Sequence, residues 1–188
     1  MKKILFIFCF GFIFFFMSSN MSFSDDVILK GSIQYTVESA KKLAFDGLPL
    51  KLDKKLLEPY WIDEKNKENQ ASIKQNIQPE GRTVMFFSSK FVKGYCVIYD
   101  DKPEYAFYYT KSGILAAVDW DPAFDKEKYP YKVGKYNAFG RLISVGLYVS
   151  ENEQYSYSKA GKLLAHWVGD IGYNAKGKEI ARRSLAEK

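Results

Sequence analysis

Four times in this chain a tyrosine is followed four residues later by a glycine. The segments are Tyr109-Thr110-Lys111-Ser112-Gly113-Ile114, Tyr136-Asn137-Ala138-Phe139-Gly140-Arg141-Leu142, Tyr157-Ser158-Lys159-Ala160-Gly161-Lys162-Leu163 and Tyr173-Asn174-Ala175-Lys176-Gly177-Lys178-Glu179-Ile180. A short hairpin loop commonly ends in a residue with positive φ, where glycine escapes the Cβ clash. Tyrosine before the turn gives a broad amphipathic face for cross-strand packing. The recurrence therefore predicts hairpin turns at Gly113, Gly140, Gly161 and Gly177. The flanking stretches agree. Ile143, Val145, Leu147 and Val149 alternate with Ser144, Gly146, Tyr148 and Ser150, the period of a strand with one buried face. Tyr155 and Tyr157 alternate with polar residues after Glu151-Asn152-Glu153. Tyr95, Val97 and Tyr99 lead through Asp100-Asp101-Lys102-Pro103 into Tyr105, Phe107 and Tyr109. Eight to ten strands are expected between Thr83 and Leu185, joined in sequence, so that residues 81–188 form an antiparallel β-meander of repeated hairpins.

Residues 25–80 read differently and predict a small helical N-terminal portion. Val37, Ala40 and Ala44 share one face of a helix over Tyr35 to Phe45, which Asp46-Gly47 stops. Leu56, Leu57, Tyr60, Trp61 and Ile62 form an apolar knot, and Asp63 to Gln75 is polar enough for a solvated helix or loop. Pro79-Glu80-Gly81 is a turn signal, followed by a first strand at Thr83 to Phe87. The class is mainly β (α+β), the two portions packing as one domain.

Residues 1–24 belong to another physical class. Lys2-Lys3, the apolar run Ile4 to Met17 and the small residues of Ser22-Phe23-Ser24 before Asp25 have the layout of a signal peptide. The chain is expected to be exported, periplasmic or secreted, with cleavage near Ser24/Asp25. The apolar run has 14 residues, short of the roughly 20 that span a bilayer, and no comparable run follows. No integral span is expected after leader removal; the alternative is an uncleaved signal anchor. Loss of Lys2 and Lys3 lowers the formal net charge from +6 to +4. Eight of the 15 Phe leave with the leader while all 14 Tyr stay, so the mature chain is rich in tyrosine rather than phenylalanine. Cys9 leaves too, and Cys96 alone cannot form a disulfide within the chain. The same count excludes a multi-cysteine zinc site, and the single His166 removes most histidine-based metal sites.

The stretches YSYSKAGKL (Tyr155 to Leu163) and YNAFGRL (Tyr136 to Leu142) resemble the tyrosine-aspartate (YD) repeats of Rhs-type proteins, and also MORN-like repeats. The resemblance covers about Tyr105 to Ile180, with glycine spacings of 27, 21 and 16 residues. Thr110, Asn137, Ser158 and Asn174 stand where the YD pattern has its acidic residue. The resemblance implies an extended or curled meander serving as scaffold, shell or binding surface, and it implies no catalytic residues.

Catalytic chemistry finds little purchase. Cys96 with His166 could form a thiol nucleophile and base, with Asp170 nearby in sequence. The plainer reading makes Cys96 a small hydrophobe beside Val97 and Ile98, and His166 a sheet residue between Ala165 and Trp167. Asp119-Trp120-Asp121-Pro122-Ala123-Phe124-Asp125 carries three carboxylates but lacks EF-hand spacing, and reads as a solvated loop. Arg182-Arg183 reads as a charged sheet edge. Positive charges lie scattered among acids, which does not suit nucleic-acid binding, and no phosphate loop, dinucleotide fingerprint or metalloprotease motif is present. No catalytic, cofactor or metal residue is assigned. The expected function is a non-catalytic binding or scaffold module of the cell envelope or secreted fraction, its partner a protein or glycan of the envelope. The alternative is an exported hydrolase without a recognisable motif. Intact-mass measurement of the exported protein should give a chain beginning near Asp25; full-length protein found soluble in the cytoplasm of its own host would contradict the leader assignment.

Overall fold

In space, the alternation becomes a single sheet. The structure, a computed structural model, describes residues 35–88, 93–124 and 128–182. The leader at residues 1–24, its cleavage point, Asp125 and Arg183 lie outside the described residues. Ten strands are described: β1 Arg82–Ser88, β2 Lys93–Tyr99, β3 Tyr105–Thr110, β4 Leu115–Trp120, β5 Tyr131–Asn137, β6 Leu142–Ser150, β7 Glu153–Ser158, β8 Leu163–Val168, β9 Ile171–Tyr173 and β10 Glu179–Arg182. They pair antiparallel in the order β1 to β10, each with its neighbour in sequence. The protein is mainly β, a meander of consecutive hairpins.

Three short helices precede the sheet: α1 Val37–Phe45, α2 Lys54–Leu57 and α3 Asn66–Gln75, with a 3₁₀ turn at Glu58–Tyr60 between α2 and α3. A capping box starts α1. The Thr36 hydroxyl accepts from Ser39 N–H at 3.1 Å, and the Ser39 hydroxyl accepts from Thr36 N–H at 2.9 Å. Ala40 and Ala44 are fully buried, and their small side chains let α1 lie close on β6 and β7. Asp63 is not part of a solvated segment. It is buried, as is Asn69 on the sheet side of α3, because both enter a polar network described below.

Register separates the two faces of the sheet. Tyr95, Val97, Tyr105, Phe107, Tyr109, Val118, Tyr136, Val145, Leu147, Tyr155 and Tyr157 share one face and form a continuous core with Ala40, Ala44, Leu48, Leu52 and Leu57 of the N-terminal portion. A strand parity of two puts Cys96, Ala106 and Tyr108 on the other face, where they cluster with Met85, Phe87, Ile98 and Ala117, every one a strand residue.

Each repeated turn is closed by the same bonds. In the second, Gly140 N–H donates to Asn137 O and Asn137 N–H to Arg141 O, both at 2.9 Å, while the Asn137 side-chain oxygen accepts from Arg141 N–H at 3.0 Å. Thr110, Ser158 and Asn174 repeat that side-chain bond to Ile114, Lys162 and Lys178 at 3.1, 3.2 and 3.0 Å. What the position requires is an acceptor oxygen rather than a charge, which explains why Thr, Ser and Asn serve equally. Gly113, Gly140, Gly161 and Gly177 have φ of 80°, 76°, 74° and 69°.

The first two turns also dock the N-terminal chain. Asp63 N–H donates to Gly113 O at 2.8 Å and Leu115 N–H to Trp61 O at 2.9 Å; Leu52 N–H donates to Gly140 O at 2.8 Å and Leu142 N–H to Leu50 O at 3.0 Å. Each docked segment adds one bridge, Ile62 to Ile114 and Lys51 to Arg141. At the free edge of β1 the Gln78 amide imitates a strand, accepting from Val84 N–H at 2.7 Å and donating to Val84 O at 3.0 Å. That blunts the edge against further pairing.

Gly140 and Gly177 share a backbone conformation but not surroundings. A Cβ on Gly140 would lie 2.6 Å from Leu52 O, whereas one on Gly177 meets nothing within 4 Å. Gly177→Ala should therefore cost only the left-handed backbone penalty, roughly 1 kcal/mol. Gly140→Ala should cost that plus the displaced docking bond, roughly 2 to 3 kcal/mol together. Urea midpoints of the two variants check the difference.

Candidate functional site

A thiol–imidazole pair works only in direct contact. Cys96 on β2 and His166 on β8 are six strands apart, roughly 29 Å along the sheet at about 4.8 Å per strand. They also face opposite ways. Cys96 is buried with Ala106 and Tyr108, and His166 stands opposite Tyr155 on the tyrosine face. The acidic stretch does not converge either. Asp119 is a strand residue of β4, not part of a solvated loop, because Lys135 across the β4–β5 pair holds it at 3.0 Å and the Tyr108 hydroxyl donates to it at 2.8 Å. Asp121 accepts from Ala123 N–H at 2.9 Å, closing a local turn. Among the described residues no three His, Cys, Asp or Glu side chains are grouped to hold a metal ion.

His166 is fully buried. Its Nε2 lies 2.7 Å from a Glu153 carboxylate oxygen, and its ring stacks on Tyr155 with centroids 4.2 Å apart and planes 15° apart. The Tyr155 hydroxyl lies 3.1 Å from Tyr35 O and 3.2 Å from the same Glu153 oxygen. Burial holds the imidazole below its ordinary pKa, although the Glu153 hydrogen bond opposes that shift. Neutral His166 thus donates from Nε2 to Glu153. Its other nitrogen is buried as well, and the group has no route to a substrate.

A second polar cluster has almost no signature in the sequence. Asp63 accepts from the Asn69 amide at 2.8 Å, from the Tyr95 hydroxyl at 2.5 Å and from Lys65 N–H at 2.9 Å. Asn69 accepts in turn from Arg82 Nε at 2.8 Å, and the Arg82 guanidinium meets Glu68 at 2.6 Å. Burial, then Asp63, raises the Tyr95 pKa well beyond the physiological range, so its hydroxyl stays a donor. The one sign in the sequence is the three-residue spacing of Asp63, Asn66 and Asn69, which puts Asp63 just ahead of α3 and the two asparagines on one side of its first turn. This cluster fixes α3 to β1 and β2.

The remaining chemistry lies on the sheet face opposite the helices. Lys135 Nζ sits 4.1 Å from the centre of the Tyr108 ring while pairing with Asp119, so Tyr108, Asp119 and Lys135 form a closed triangle. Phe87 packs edge-on against Tyr108 at 5.4 Å. Farther along, Tyr131 and Tyr148 stack at 4.6 Å with planes 5° apart, and the half-exposed Tyr129 packs on Tyr131 at 5.4 Å. Trp167 lies flat over Gly172, where an added Cβ would be 3.1 Å from the indole. Polar and aromatic groups therefore alternate along this face. The turn glycines, by contrast, line an end of the sheet and build its hairpins.

In comparisons with known proteins, no family model, no curated protein and no solved structure matches this chain. Its class is thus defined by architecture, an antiparallel meander with one face covered by its N-terminal portion.

The His166 environment predicts a pH dependence. With the folded pKa below the ordinary value of about 6.5, the unfolded chain takes up a proton first as pH falls. Stability from this group is then complete above about pH 6.5 and declines below it, by at most about 1.4 kcal/mol per pH unit, until folded His166 protonates. His166→Gln can still donate to Glu153 and should flatten that slope in urea midpoints taken between about pH 7 and about pH 5.

Proposed function

We propose that the chain is an exported, non-catalytic binding module of the cell envelope or secreted fraction, engaging an envelope protein or glycan through the sheet face opposite its helices. One observation carries this reading. Among the described residues, the tyrosine face is filled by the N-terminal portion, whereas the apolar cluster of the opposite face draws on strand residues, with the half-buried Tyr131, Tyr148 and Trp167 beside it. Such a mix suits recognition: aromatic rings supply contact area at low entropic cost, and the Asp119–Lys135 pair supplies polarity. The separation of Cys96 from His166 removes the nucleophile–base pair that the sequence allowed.

The test is retention on isolated envelope, assayed separately on its glycan and protein fractions. Tyr148→Ala with Trp167→Ala should weaken retention roughly tenfold when compared with the parent chain at equal folded fraction, since both rings also pack within the sheet. Retention equal to that of the parent chain would refute this face as the binding surface.

A further inference from the structure

The first two repeated turns each receive an extended segment, Trp61 to Asp63 on Gly113–Leu115 and Leu50 to Leu52 on Gly140–Leu142. The third turn has the same sequence pattern and backbone, with Tyr157 opposite Leu163 as Tyr109 is opposite Leu115 and Tyr136 opposite Leu142. No described segment bridges to its edge, Gly161–Leu163. A cleft of about 400 Å³ lies there instead, between α1 and the turn. Glu38, Lys41, Lys42 and Phe45 of α1 line it with Lys159, Ala160 and Gly161.

Its charge is one-sided. Lys41 is satisfied by Glu38 at 3.3 Å, and its stem closes on Gly161, where an added Cβ would lie 2.6 Å from Lys41 Cε. Lys42 and Lys159 are exposed and have no acidic partner among the described residues. Lys162 occupies the place of Ile114 and Arg141, the residues that bridge to the docked segments in the first two units.

We propose that the third turn is a docking site for an extended acidic peptide segment of a partner protein. The segment would add one antiparallel bridge opposite Lys162, its backbone N–H directed to Gly161 O and its C=O facing Leu163 N–H, as the chain's own segments do at the first two turns. An acidic side chain opposite Lys162, and another reaching Lys42 and Lys159, complement the lysines. Phe45 offers the apolar wall that a flanking leucine would cover. This site is distinct from the sheet face proposed above and stands or falls separately.

The probe is a synthetic peptide, acetyl-Ser-Leu-Glu-Leu-Asp-amide, which follows the Leu50 to Asp53 segment with Glu in the place of Lys51, titrated into the full chain at low salt. Amide chemical shifts of Lys162 and Leu163 should move saturably. Lys42→Glu with Lys159→Glu, both surface changes, should weaken binding roughly tenfold at an unchanged urea midpoint. The peptide with Lys in place of Glu and Asp should not bind. No shift at Lys162 and Leu163, or equal shifts with the basic peptide, would overturn the proposal. So would full competition by inorganic phosphate, which would reduce the site to anion binding without strand pairing. A monomer–dimer equilibrium abolished by the same two substitutions would make the occupant a second copy and overturn it as well.

Discussion

A buried tyrosine brings a large apolar ring and a hydroxyl that must find a partner, because burying it unpaired costs on the order of 1 to 3 kcal/mol. The sheet places Tyr95, Tyr136, Tyr155 and Tyr157 on one face, each essentially inaccessible to water. Sheet ladders leave no backbone groups pointing out of their plane, so any backbone partner has to come from above. The N-terminal portion supplies them: Tyr136 donates to Pro49 O at 2.9 Å, Tyr157 to Val37 O at 2.8 Å, Tyr155 to Tyr35 O at 3.1 Å and Tyr95 to Asp63. Trp61 returns the arrangement, its indole N–H donating to Ala138 O at 2.9 Å. Residues 35–80 are thus the covering layer of the sheet, and the two portions share one core.

That dependence explains what can be read from sequence. Period-two alternation in β6 and the Tyr-to-Gly spacing of four are local signals, and they identify strands and turns without knowledge of what lies across the core. The covering layer is recognised by different means. Pro49, Val37 and Tyr35 contribute carbonyl oxygens, and a carbonyl leaves no trace in residue type. Asp63 reads as solvated because it sits in a polar run, yet its partners Asn69, Tyr95 and Lys65 lie on a helix, a strand and a loop. Asp119 misleads for the same reason, since its lysine is 16 residues away on the next strand.

The separation of Cys96 and His166 is partly legible. Within one strand, parity decides which face a residue takes, but carrying parity across six strands requires every register shift between them. The sheet has several, at Tyr108/Tyr109, Lys135/Tyr136, Tyr148/Ser150 and Ser156/Tyr157. Three of these coincide with the repeated turns. There one residue of the following strand, Ala116, Ile143 or Leu164, is left unpaired just after the leucine that faces the tyrosine, a bulge no composition argument can count in advance.

The same pairing shows why the meander ends where it does among the described residues. Tyr109, Tyr136 and Tyr157 face Leu115, Leu142 and Leu163, but Tyr173 faces Glu179. A leucine at that place would need a cover, and α1 packs chiefly on β6 and β7. Glu179 instead meets Arg182 in a bidentate pair at 2.6 and 2.8 Å, both side chains at the surface. The fourth unit keeps the turn chemistry of the other three, with Asn174 accepting from Lys178 N–H, while exchanging its core contact for a charged one. A repeat unit that presents charge rather than leucine at this position offers a less apolar edge for another strand to extend. At the first edge the Gln78 amide takes up the backbone groups of Val84, so there too a side chain does work that a neighbouring strand would do.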